Sequence, residues 1–537
     1  MRRSFLSRSW IGPAATAAAI GLFPPVASAS EGEFVKSSIN LPVTTIAFKT
    51  DFDLDGDGLN DALAVYQRRL MIFFQKSDGH FSAAPDIEIG AEQPIPASYA
   101  AVAVGKVSVG AGAQILLIGP EGVDFLDIAR LRSAGTQPVS PQKLISHSLS
   151  ITPGPALEYL DCALDMDGDG HIDIVLPSDN DLLLFASRDG APYALQSRVP
   201  LNMQTQQNTS LETEPSLLGS ALFTQGEAAG SNVVTLPELN LWHSVQFSTV
   251  RYSLPIMVAD YNMDRRFDFL SASRIRYQDP DGNFKSVDSG VYKRISSSYV
   301  PRESQNTLVS IPNLLDFNGD GILDTYQVEA TAAKLSPRTD ISIFLGRRDR
   351  TFAEKADMVL RTRDFAYSDS LPVGDINGDG AEDLALFHLD FQPSSMQSQL
   401  KSYLRNGLEG ELRFYLWDKA KNQYPASPAF RQPVLVNYEI YGARQFFRQQ
   451  VTINQEMDGD NLPDLVLKTG AEEFSIFHNN KGTGYSNPAE MVIATSPTHF
   501  SSLKTTDLNG DKKGDVIVSG YLEGQDDRVI YSLYVSH

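Results

Sequence analysis

The stretch Asp53-Leu54-Asp55-Gly56-Asp57-Gly58-Leu59-Asn60-Asp61 decides how this chain folds. It places carboxylates at positions 1, 3, 5 and 9 of a loop, and the apolar run from Ala62 to Val65 follows at once. Alternate acidic side chains around a glycine turn bring their oxygens to one point, which is the arrangement that a hard cation such as Ca²⁺ requires. The stretch therefore predicts a metal-binding loop that leads into a buried strand.

The same pattern returns along the chain. Four further loops keep an acid or an amide at these positions, and they begin at Asp165, Asp316, Asp375 and Asp507. Two looser copies begin at Asp260 and Glu456. Seven matches in 537 residues are too many for chance, so the chain is a repeat protein.

The segments between the loops predict an all-β fold. Each loop precedes a short apolar run, then a second apolar run, a polar turn and a last strand, as in the units that begin at Asp53 and Glu456. Four antiparallel strands, repeated about every 50 to 60 residues, are typical of a β-propeller blade. Units begin near residues 53, 106, 165, 260, 316, 375, 456 and 507, and the 106 unit keeps the strands without the acids. Eight blades are favoured, and seven blades with one unit outside the ring are the alternative.

The two ends of the repeat array predict how the ring closes. The last unit stops at its third strand, Val529 to Val535, while Val35 to Val43 resembles the missing fourth strand. We therefore expect the N-terminal strand to complete the last blade, which leaves no unpaired sheet edge. The long gaps between units predict insertions near residues 201–248, 392–410 and 437–450.

Composition limits the partners. The formal net charge is −21, much of it in the repeated loops, and an anionic surface argues against a nucleic acid as partner. The apolar fraction of 42% is ample for a core, so global disorder is excluded. The single cysteine, Cys162, forms no intramolecular disulfide and is predicted to be a small buried residue beside the second loop.

The N-terminus predicts export. Arg2, Arg3 and Arg8 precede an apolar, alanine-rich run, and Ala27-Ser28-Ala29 offers a cleavage site, so residues 1–29 are expected to be a signal peptide. The paired arginines also fit a twin-arginine signal, and the two export routes stay open. Residues 30–537 then form one propeller domain with no transmembrane segment, in the secreted, periplasmic or cell-surface compartment.

The loops resemble the FG-GAP or VCBS-type repeat, the calcium-binding unit of integrin α-subunit head propellers and of many exported bacterial proteins. In that family the loop joins the first two strands of a blade, positions 1, 3, 5 and 9 supply side-chain ligands, and position 7 supplies a backbone carbonyl. The resemblance therefore implies several Ca²⁺ ions in five to six sites. Carried over, the metal-site residues are Asp53, Asp55, Asp57, Leu59, Asp61, Asp165, Asp167, Asp169, His171, Asp173, Asp316, Asn318, Asp320, Ile322, Asp324, Asp375, Asn377, Asp379, Ala381, Asp383, Glu456, Asp458, Asp460, Leu462, Asp464, Asp507, Asn509, Asp511, Lys513 and Asp515.

Three units depart from the family pattern. The 106 unit has lost its acids and should hold no ion. The 456 unit begins with the longer Glu456. The 260 unit has Met263 in place of glycine, and the charges of Arg265 and Arg266 would oppose a cation.

Two other interpretations of the loops compete with a propeller-type calcium site. An EF-hand needs a bidentate glutamate at position 12, but that position is Ala64, Leu176 or Leu386, inside an apolar run. Acidic turns that bind nothing are the other interpretation, since aspartate and glycine are common in turns. Turn chemistry alone does not explain why seven units share an aspartate at position 9, so metal binding is predicted.

The predicted function is a binding or adhesion module for a protein or a glycan. No nucleophile-elbow, zinc-protease or phosphate-loop motif occurs in the sequence, so an enzyme is not favoured. A secreted calcium-dependent enzyme (a polysaccharide lyase or hydrolase, or a phosphoesterase) and a structural subunit of an envelope complex are the alternatives. Strand order places the insertions on the face opposite the calcium loops, where the partner is expected, and Arg444, Phe446 and Phe447 are candidate contacts.

Overall fold

The computed structural model describes residues 34–108, 112–134, 140–151, 153–178, 181–188, 191–200, 242–248, 253–260, 262, 264–271, 274–288, 307–309, 313–333, 336–348, 352–362, 371–389, 407–441, 444–447, 451–470, 473–495, 499–522 and 525–537. The predicted signal peptide, residues 1–29, lies outside these ranges, as do most of the predicted insertions near 201–248 and 392–410. The described chain is almost entirely β-structure, which confirms the all-β prediction.

The strands are short and follow one another closely, as the repeated apolar runs predict. In the first part of the chain they are β1 (Phe34–Pro42), β2 (Thr45–Phe52), β3 (Asp61–Tyr66), β4 (Arg69–Phe73), β5 (Ile87–Ile89), β6 (Ala101–Gly105), β7 (Gln114–Gly119), β8 (Gly122–Asp127), β9 (Gln142–Ser146), β10 (Glu158–Tyr159), β11 (Ala163–Leu164), β12 (Asp173–Pro177), β13 (Asp181–Ala186) and β14 (Ala194–Pro200). The helix α1 (Ile128–Ala134) lies between β8 and β9. Nowhere in the described ranges is a helix long and apolar enough for a membrane span.

The second part of the chain continues in the same way. Its strands are β15 (Trp242–Ser248), β16 (Ser253–Ala259), β17 (Asp268–Ser271), β18 (Arg274–Gln278), β19 (Phe284–Asp288), β20 (Thr307–Val309), β21 (Asn313–Leu315), β22 (Asp324–Ala333), β23 (Ser336–Phe344), β24 (Met358–Thr362), β25 (Val373–Gly374), β26 (Asp383–Leu389), β27 (Gly407–Tyr415), β28 (Phe430–Tyr441), β29 (Arg444–Phe447), β30 (Val451–Gln455), β31 (Asp464–Gly470), β32 (Glu473–Phe477), β33 (Met491–Ala494), β34 (His499–Thr506), β35 (Asp515–Leu522) and β36 (Gln525–Ser536).

The described strands form eight sheets. Four of these sheets have four antiparallel strands, in the orders β2-β3-β4-β5, β11-β12-β13-β14, β30-β31-β32-β33 and β1-β36-β35-β34. The other four have five strands, in the orders β10-β6-β7-β8-β9, β15-β16-β17-β18-β19, β25-β26-β27-β28-β29, and β20-β22-β23-β24 with β21 also paired to β22.

The five-stranded sheets depart from the prediction of four antiparallel strands in every unit. The short strand β10 pairs in parallel with β6, while β11, four residues further on, pairs with β12 of the next sheet, so one segment serves two sheets. Strands β20 and β21 both pair with β22. Strand β15, within the segment predicted as an insertion near 201–248, adds a fifth strand beside β16.

The first and last strands of the described chain pair with each other. Strand β1 lies antiparallel to β36 along its whole length, from Phe34 opposite Ser536 to Pro42 opposite Arg528. The buried side chains of Ile39 on β1 and Leu533 on β36 pack together with Phe73 of the first unit. The predicted pairing of the N-terminal strand with the last unit is therefore confirmed.

The hydrophobic core lies between sheets that follow one another in the chain. Leu63 and Ile72 of the sheet that contains β3 share one buried cluster with Val102 and Leu117 of the next sheet. Clusters of the same kind join the sheet of β26 to the sheet of β31, and the sheet of β12 to the sheet of β7. Cys162 is fully buried in the last of these clusters, as its isolated position in the sequence predicts.

The ends of the sheets differ in character. Each acidic loop connects two neighbouring antiparallel strands, such as β2 to β3 or β16 to β17, and the next turn at that end of the sheet lies beside it, as Gln75 N donates to Asp61 Oδ1. At the opposite end, β27 and β28 continue past β26, and β28 turns into the hairpin partner β29. Much of the segment 437–450, predicted as an insertion, is thus strand, because its backbone pairs with β27 and β29.

Candidate metal centre

The seven acidic loops share one backbone conformation. Position 6 has positive φ in all seven loops and position 4 in the six loops where it is described, as in Gly56 (85°) and Gly58 (92°), a region that glycine adopts without strain. At position 6, three loops adopt this conformation with other residues: Arg265 (70°), Asn461 (65°) and Lys512 (71°). The rest of the loop therefore holds this turn even where the sequence offers no glycine.

The side chain at position 1 forms the centre of each loop. In six loops its Oδ2 accepts a hydrogen bond from the backbone N–H of position 6, with N–O distances of 2.7 to 2.9 Å. Its Oδ1 accepts from the N–H of position 4 or 5, as in Gly56 N to Asp53 Oδ1 at 2.6 Å. In the seventh loop the longer Glu456 accepts from Gly459 N. Backbone dipoles thus fix the carboxylate at the axis of the turn.

Positions 3 and 5 are fixed in the same way in all seven loops. The side-chain oxygen at position 3 accepts from the N–H of position 5 at 2.9 to 3.3 Å. The Oδ1 at position 5 accepts from the N–H of position 7 at 2.8 to 3.0 Å. Each of these side chains forms an Asx-type turn, so hydrogen bonds within the loop are sufficient to fix the positions of its oxygen atoms.

The fixed side chains bring oxygen atoms together. One oxygen from each of Asp53, Asp55 and Asp57 lies within 4.8 Å of the other two. The same holds for Asp165, Asp167 and Asp173, and for Glu456, Asp458 and Asp460. Hard carboxylate and amide oxygens on a preformed loop are the donor set that Ca²⁺ takes, so the loop residues fit this ion.

The aspartate at position 9 has a second function that the sequence did not reveal. In six loops its Oδ2 accepts from the N–H of position 2, at 2.5 to 3.1 Å. In six loops its Oδ1 accepts from the N–H of the residue just after the third strand, at 2.7 to 3.0 Å. The position-9 aspartate thus ties the loop to the neighbouring turn of the same sheet. The prediction that turn chemistry does not explain this residue is therefore wrong.

These position-9 carboxylates are buried, and burial disfavours their charge. Asp324, Asp383 and Asp464 have no exposed surface. Burial raises the pKa of Asp324 to about 8 and that of Asp383 to about 7, and the backbone N–H donors only partly oppose this rise. Nearby loop carboxylates raise both pKa values further. A cation in the loop would favour the charged form of the same groups.

The 106 unit keeps the position-9 contact with a neutral side chain. Gln114 Oε1 accepts from Val107 N at 2.9 Å and from Ser108 N at 3.1 Å, and Gln114 Nε2 donates to Gly112 O at 2.7 Å. The contact with the loop backbone therefore survives where the acids are lost. Holding the loop at position 9 therefore does not require a carboxylate.

Hydrogen bonds also link six of the eight units to the loop of the preceding unit. An N–H at position 8 donates to a carbonyl at position 1 or 2 of the previous loop in five cases: Ala113 to Asp53 (2.7 Å), Phe267 to Met166 (2.7 Å), Glu382 to Phe317 (3.0 Å), Gly514 to Glu456 (2.7 Å) and Asn60 to Leu508 (3.1 Å). The 456 unit has Pro463 at position 8, which lacks an N–H, and Asn479 Nδ2 donates to Ile376 O instead, at 2.9 Å. The bond from Asn60 to Leu508 joins the first loop to the last.

Basic side chains approach several loops from outside. Arg188 Nη2 lies 3.3 Å from Asp167 Oδ2, and Lys419 Nζ lies 3.6 Å from Asp379 Oδ1. Arg132, on α1 of the next unit, contacts Asp55. All three basic side chains are about half exposed, whereas the side chains of Asp55 and Asp167 are only 3% and 14% exposed, so in these two pairs only the basic side chain faces solvent.

The residues predicted to contact a partner are only partly described. Arg444, Phe446 and Phe447 lie on β29, at the sheet end opposite the acidic loops, and only their backbone is described. Trp417 is 3% exposed and packs edge-on against Tyr424 at a ring distance of 4.7 Å, so it belongs to the core. His171 is an exposed loop residue, and its ring nitrogen lies 3.2 Å from Asp169 Oδ1.

Residues 316–386 match a family model described as an FG-GAP-like repeat. No curated protein matches the chain in sequence. Among solved structures, the chain is similar to a lectin of Agrocybe aegerita that recognises non-reducing terminal N-acetylglucosamine, with 13% identity, 92% of this chain and 98% of that chain covered, and a TM-score of 0.43. It is also similar to the biofilm matrix protein Bap1 of V. cholerae, with 10% identity, 94% and 90% covered, and a TM-score of 0.38. The resemblance predicted from the loops is thus confirmed for residues 316–386, which contain an FG-GAP-like repeat and include the loops that begin at Asp316 and Asp375.

Proposed function

We propose that this chain is an exported, calcium-stabilised β-propeller of eight blades that acts as a binding module for a protein or a glycan. The observation that carries the proposal is the row of acidic loops at one end of the sheets, in which hydrogen bonds connect six units to the preceding unit and join the last unit to the first.

Three kinds of contact in the described chain support the ring. Hydrophobic clusters join seven pairs of neighbouring sheets; among the described residues, no shared cluster is found between the sheet of β15–β19 and the sheet of β20–β24. Hydrogen bonds connect the loop ends of six units to the preceding unit. The first and last units are joined twice, by the pairing of β1 with β36 and by the bond from Asn60 to Leu508. A series of sheets in which the last contacts the first is the architecture of a propeller.

Calcium is proposed for the loops that begin at Asp53, Asp165, Asp316, Asp375, Glu456 and Asp507. Side chains at positions 1, 3 and 5, the carbonyl at position 7 and the carboxylate at position 9 would hold the ion. Bound calcium would neutralise converging carboxylates and so favour the folded loop. Since no such loop exists in the unfolded chain, each ion would stabilise the fold by mass action.

The proposed binding face is the sheet end opposite the acidic loops. There β27 and β28 extend beyond β26 and lead into β29, and the connections that leave this end are long. Long connections on a rigid scaffold are where recognition residues concentrate. Rigidity would come from the calcium loops and selectivity from the opposite face, so the two properties are expected to separate on mutation.

Export is proposed from the N-terminal sequence, in which charged, apolar and small-residue segments follow in the order of a signal peptide. Calcium would then be available to the loops in the compartment that the mature chain reaches. Cleavage after Ala29 is expected, and the N-terminal sequence of the mature protein measures it directly.

The experiment that tests the function combines a glycan array with pull-down from envelope extract, using the full mature chain. Saturable binding without release of a product supports the binding module. The triple change of Arg444, Phe446 and Phe447 to alanine should weaken that binding and leave calcium-dependent melting unchanged. Product release from a polysaccharide or a phosphate ester would favour the enzyme instead, and normal binding by the triple variant would contradict the assignment of the face.

A further inference from the structure

The loop from Asp260 to Asp268 has the conformation of the calcium loops but carries its own cation. Its backbone bonds match theirs: Asp264 N donates to Asp260 Oδ1 at 3.0 Å, and Arg265 N donates to Asp260 Oδ2 at 2.7 Å. The position-9 residue, Asp268, accepts from Gln278 N at 2.8 Å and is fully buried. The described residues of this loop, 260, 262 and 264–268, are therefore folded in the same way.

The difference lies at position 7. There the other loops have Leu59, His171, Ile322, Ala381, Leu462 or Lys513, whereas this loop has Arg266. The Arg266 guanidinium contacts Asp264 Oδ2, on the position-5 carboxylate that supplies a cation ligand elsewhere. Its Nε also donates to Gln278 O at 3.3 Å, which anchors the side chain to the turn after the third strand.

This contact differs from the basic side chains near other loops. Arg132, Arg188 and Lys419 come from outside their loops and are 53%, 61% and 46% exposed. Arg266 belongs to the loop itself and is only 22% exposed. A half-exposed side chain can move into solvent when an ion binds, while removal of Arg266 would leave a partly buried pair broken.

We propose that Arg266 is the built-in counter-ion of the loop from Asp260 to Asp268, and that this loop holds no divalent cation. The inference rests on the calcium binding proposed for the other loops. Its consequence is that the 260 unit folds independently of calcium, in contrast to its neighbours. Asp264 pairs with Arg266 and does not coordinate a metal ion, so Arg266 is the residue that excludes a divalent cation from this loop.

The neighbouring contacts give this loop a function within the array. Phe267 N donates to Met166 O at 2.7 Å, and the amide of Gln278, in the orientation that satisfies it, donates to Met166 O at 2.7 Å. A Cβ on Gly168 would meet Arg265 O at 2.3 Å, so the two loops are in close contact. A loop that stays ordered without calcium thus supports the calcium loop of the preceding unit.

The test counts calcium ions per full mature chain by native mass spectrometry, in Ca²⁺ alone. Asp264→Ala is compared with Asp320→Ala, which removes the side-chain oxygens at the same position in a proposed calcium loop. We expect Asp320→Ala to lose one ion and Asp264→Ala to lose none. If Asp264→Ala also loses one, the inference fails and calcium binding by the other loops stands. If the wild-type chain binds no calcium, the proposed metal fails and the inference falls with it.

A second comparison asks for a gained site. Arg266→Leu places at position 7 the residue found there at Leu59 and Leu462, and it should bind one ion more than the wild type. The matched control Arg265→Asn removes the same charge one residue away, with a residue that adopts positive φ at Asn461, and should leave the count unchanged. A folded Arg266→Leu chain with no added ion overturns the proposal. Where that variant does not fold, the ion counts of Asp264→Ala and Asp320→Ala decide whether the proposal stands.

Discussion

Replacing Asp324 with alanine tests whether position 9 holds the loop independently of any ion. Asp324 is fully buried, and it accepts from Phe317 N at 2.9 Å and from Gly346 N at 2.7 Å. Asp324→Ala leaves both N–H groups buried without an acceptor. An unsatisfied buried donor costs about 1 to 3 kcal/mol, so two cost about 2 to 6 kcal/mol of unfolding free energy.

The expected loss lies at the lower end of that range. Asp324→Ala also removes a carboxyl group whose burial raises its pKa to about 8 in the calcium-free chain, so the loss of a group that is costly to bury offsets part of this penalty. We expect the free energy of unfolding to fall by about 2 kcal/mol, which is the lower end of the range for two unpaired donors. The measurement is urea denaturation followed by circular dichroism, in calcium-free buffer with chelator.

Asp320→Ala is the control within the same loop. Asp320 is exposed, and its partners Ile322 N and Asn318 Nδ2 can bond to water when it is removed. Without calcium the control should change the unfolding free energy by less than about 0.5 kcal/mol. With calcium both variants should be destabilised, since both remove a proposed ligand. Equal stability of the two variants in chelator would refute the reasoning, because position 9 would then act only through the ion.

Three further predictions concern the metal, the closure and the pH. Chelation should lower the melting temperature of the wild-type chain and added calcium should restore it, while Asp379→Ala should bind one ion fewer; an unchanged melting curve in chelator contradicts the calcium proposal. Deletion of residues 33–43 removes β1 and exposes the edge of β36, so aggregation or loss of cooperative melting is expected, and melting like that of the full chain would show that β1 does not secure the last sheet. In the calcium-free chain, burial raises the pKa of Asp61 and Asp173 to about 7, above the value of about 3.9 in unfolded chains, so the folded state binds more protons between these values. Stability should then fall as the pH rises from about 4 to about 7, and calcium-free protein that is more stable at pH 7 than at pH 5 would exclude this effect.

The sequence by itself determined the local structure of the repeat. Acids at alternate positions and glycines at positions 4 and 6 specify a turn whose bonds span two to five residues, as between Asp53 and Gly58. Apolar runs after each loop specify short buried strands, and the unmatched segments at the two termini predict the pairing of β1 with β36. These features depend on neighbours in the chain, so their pattern is visible without coordinates.

Only the tertiary structure decided what the ninth residue does and where the units touch. Asp324 reaches the N–H of Gly346, 22 residues away, and Asn60 reaches Asp507, 447 residues away. No spacing rule predicts bonds between such distant groups, because they form only when strands and sheets are packed. Arg266 combines both levels. The sequence indicates that its charge would oppose a cation, and only the fold shows that its guanidinium contacts Asp264 and Gln278 O.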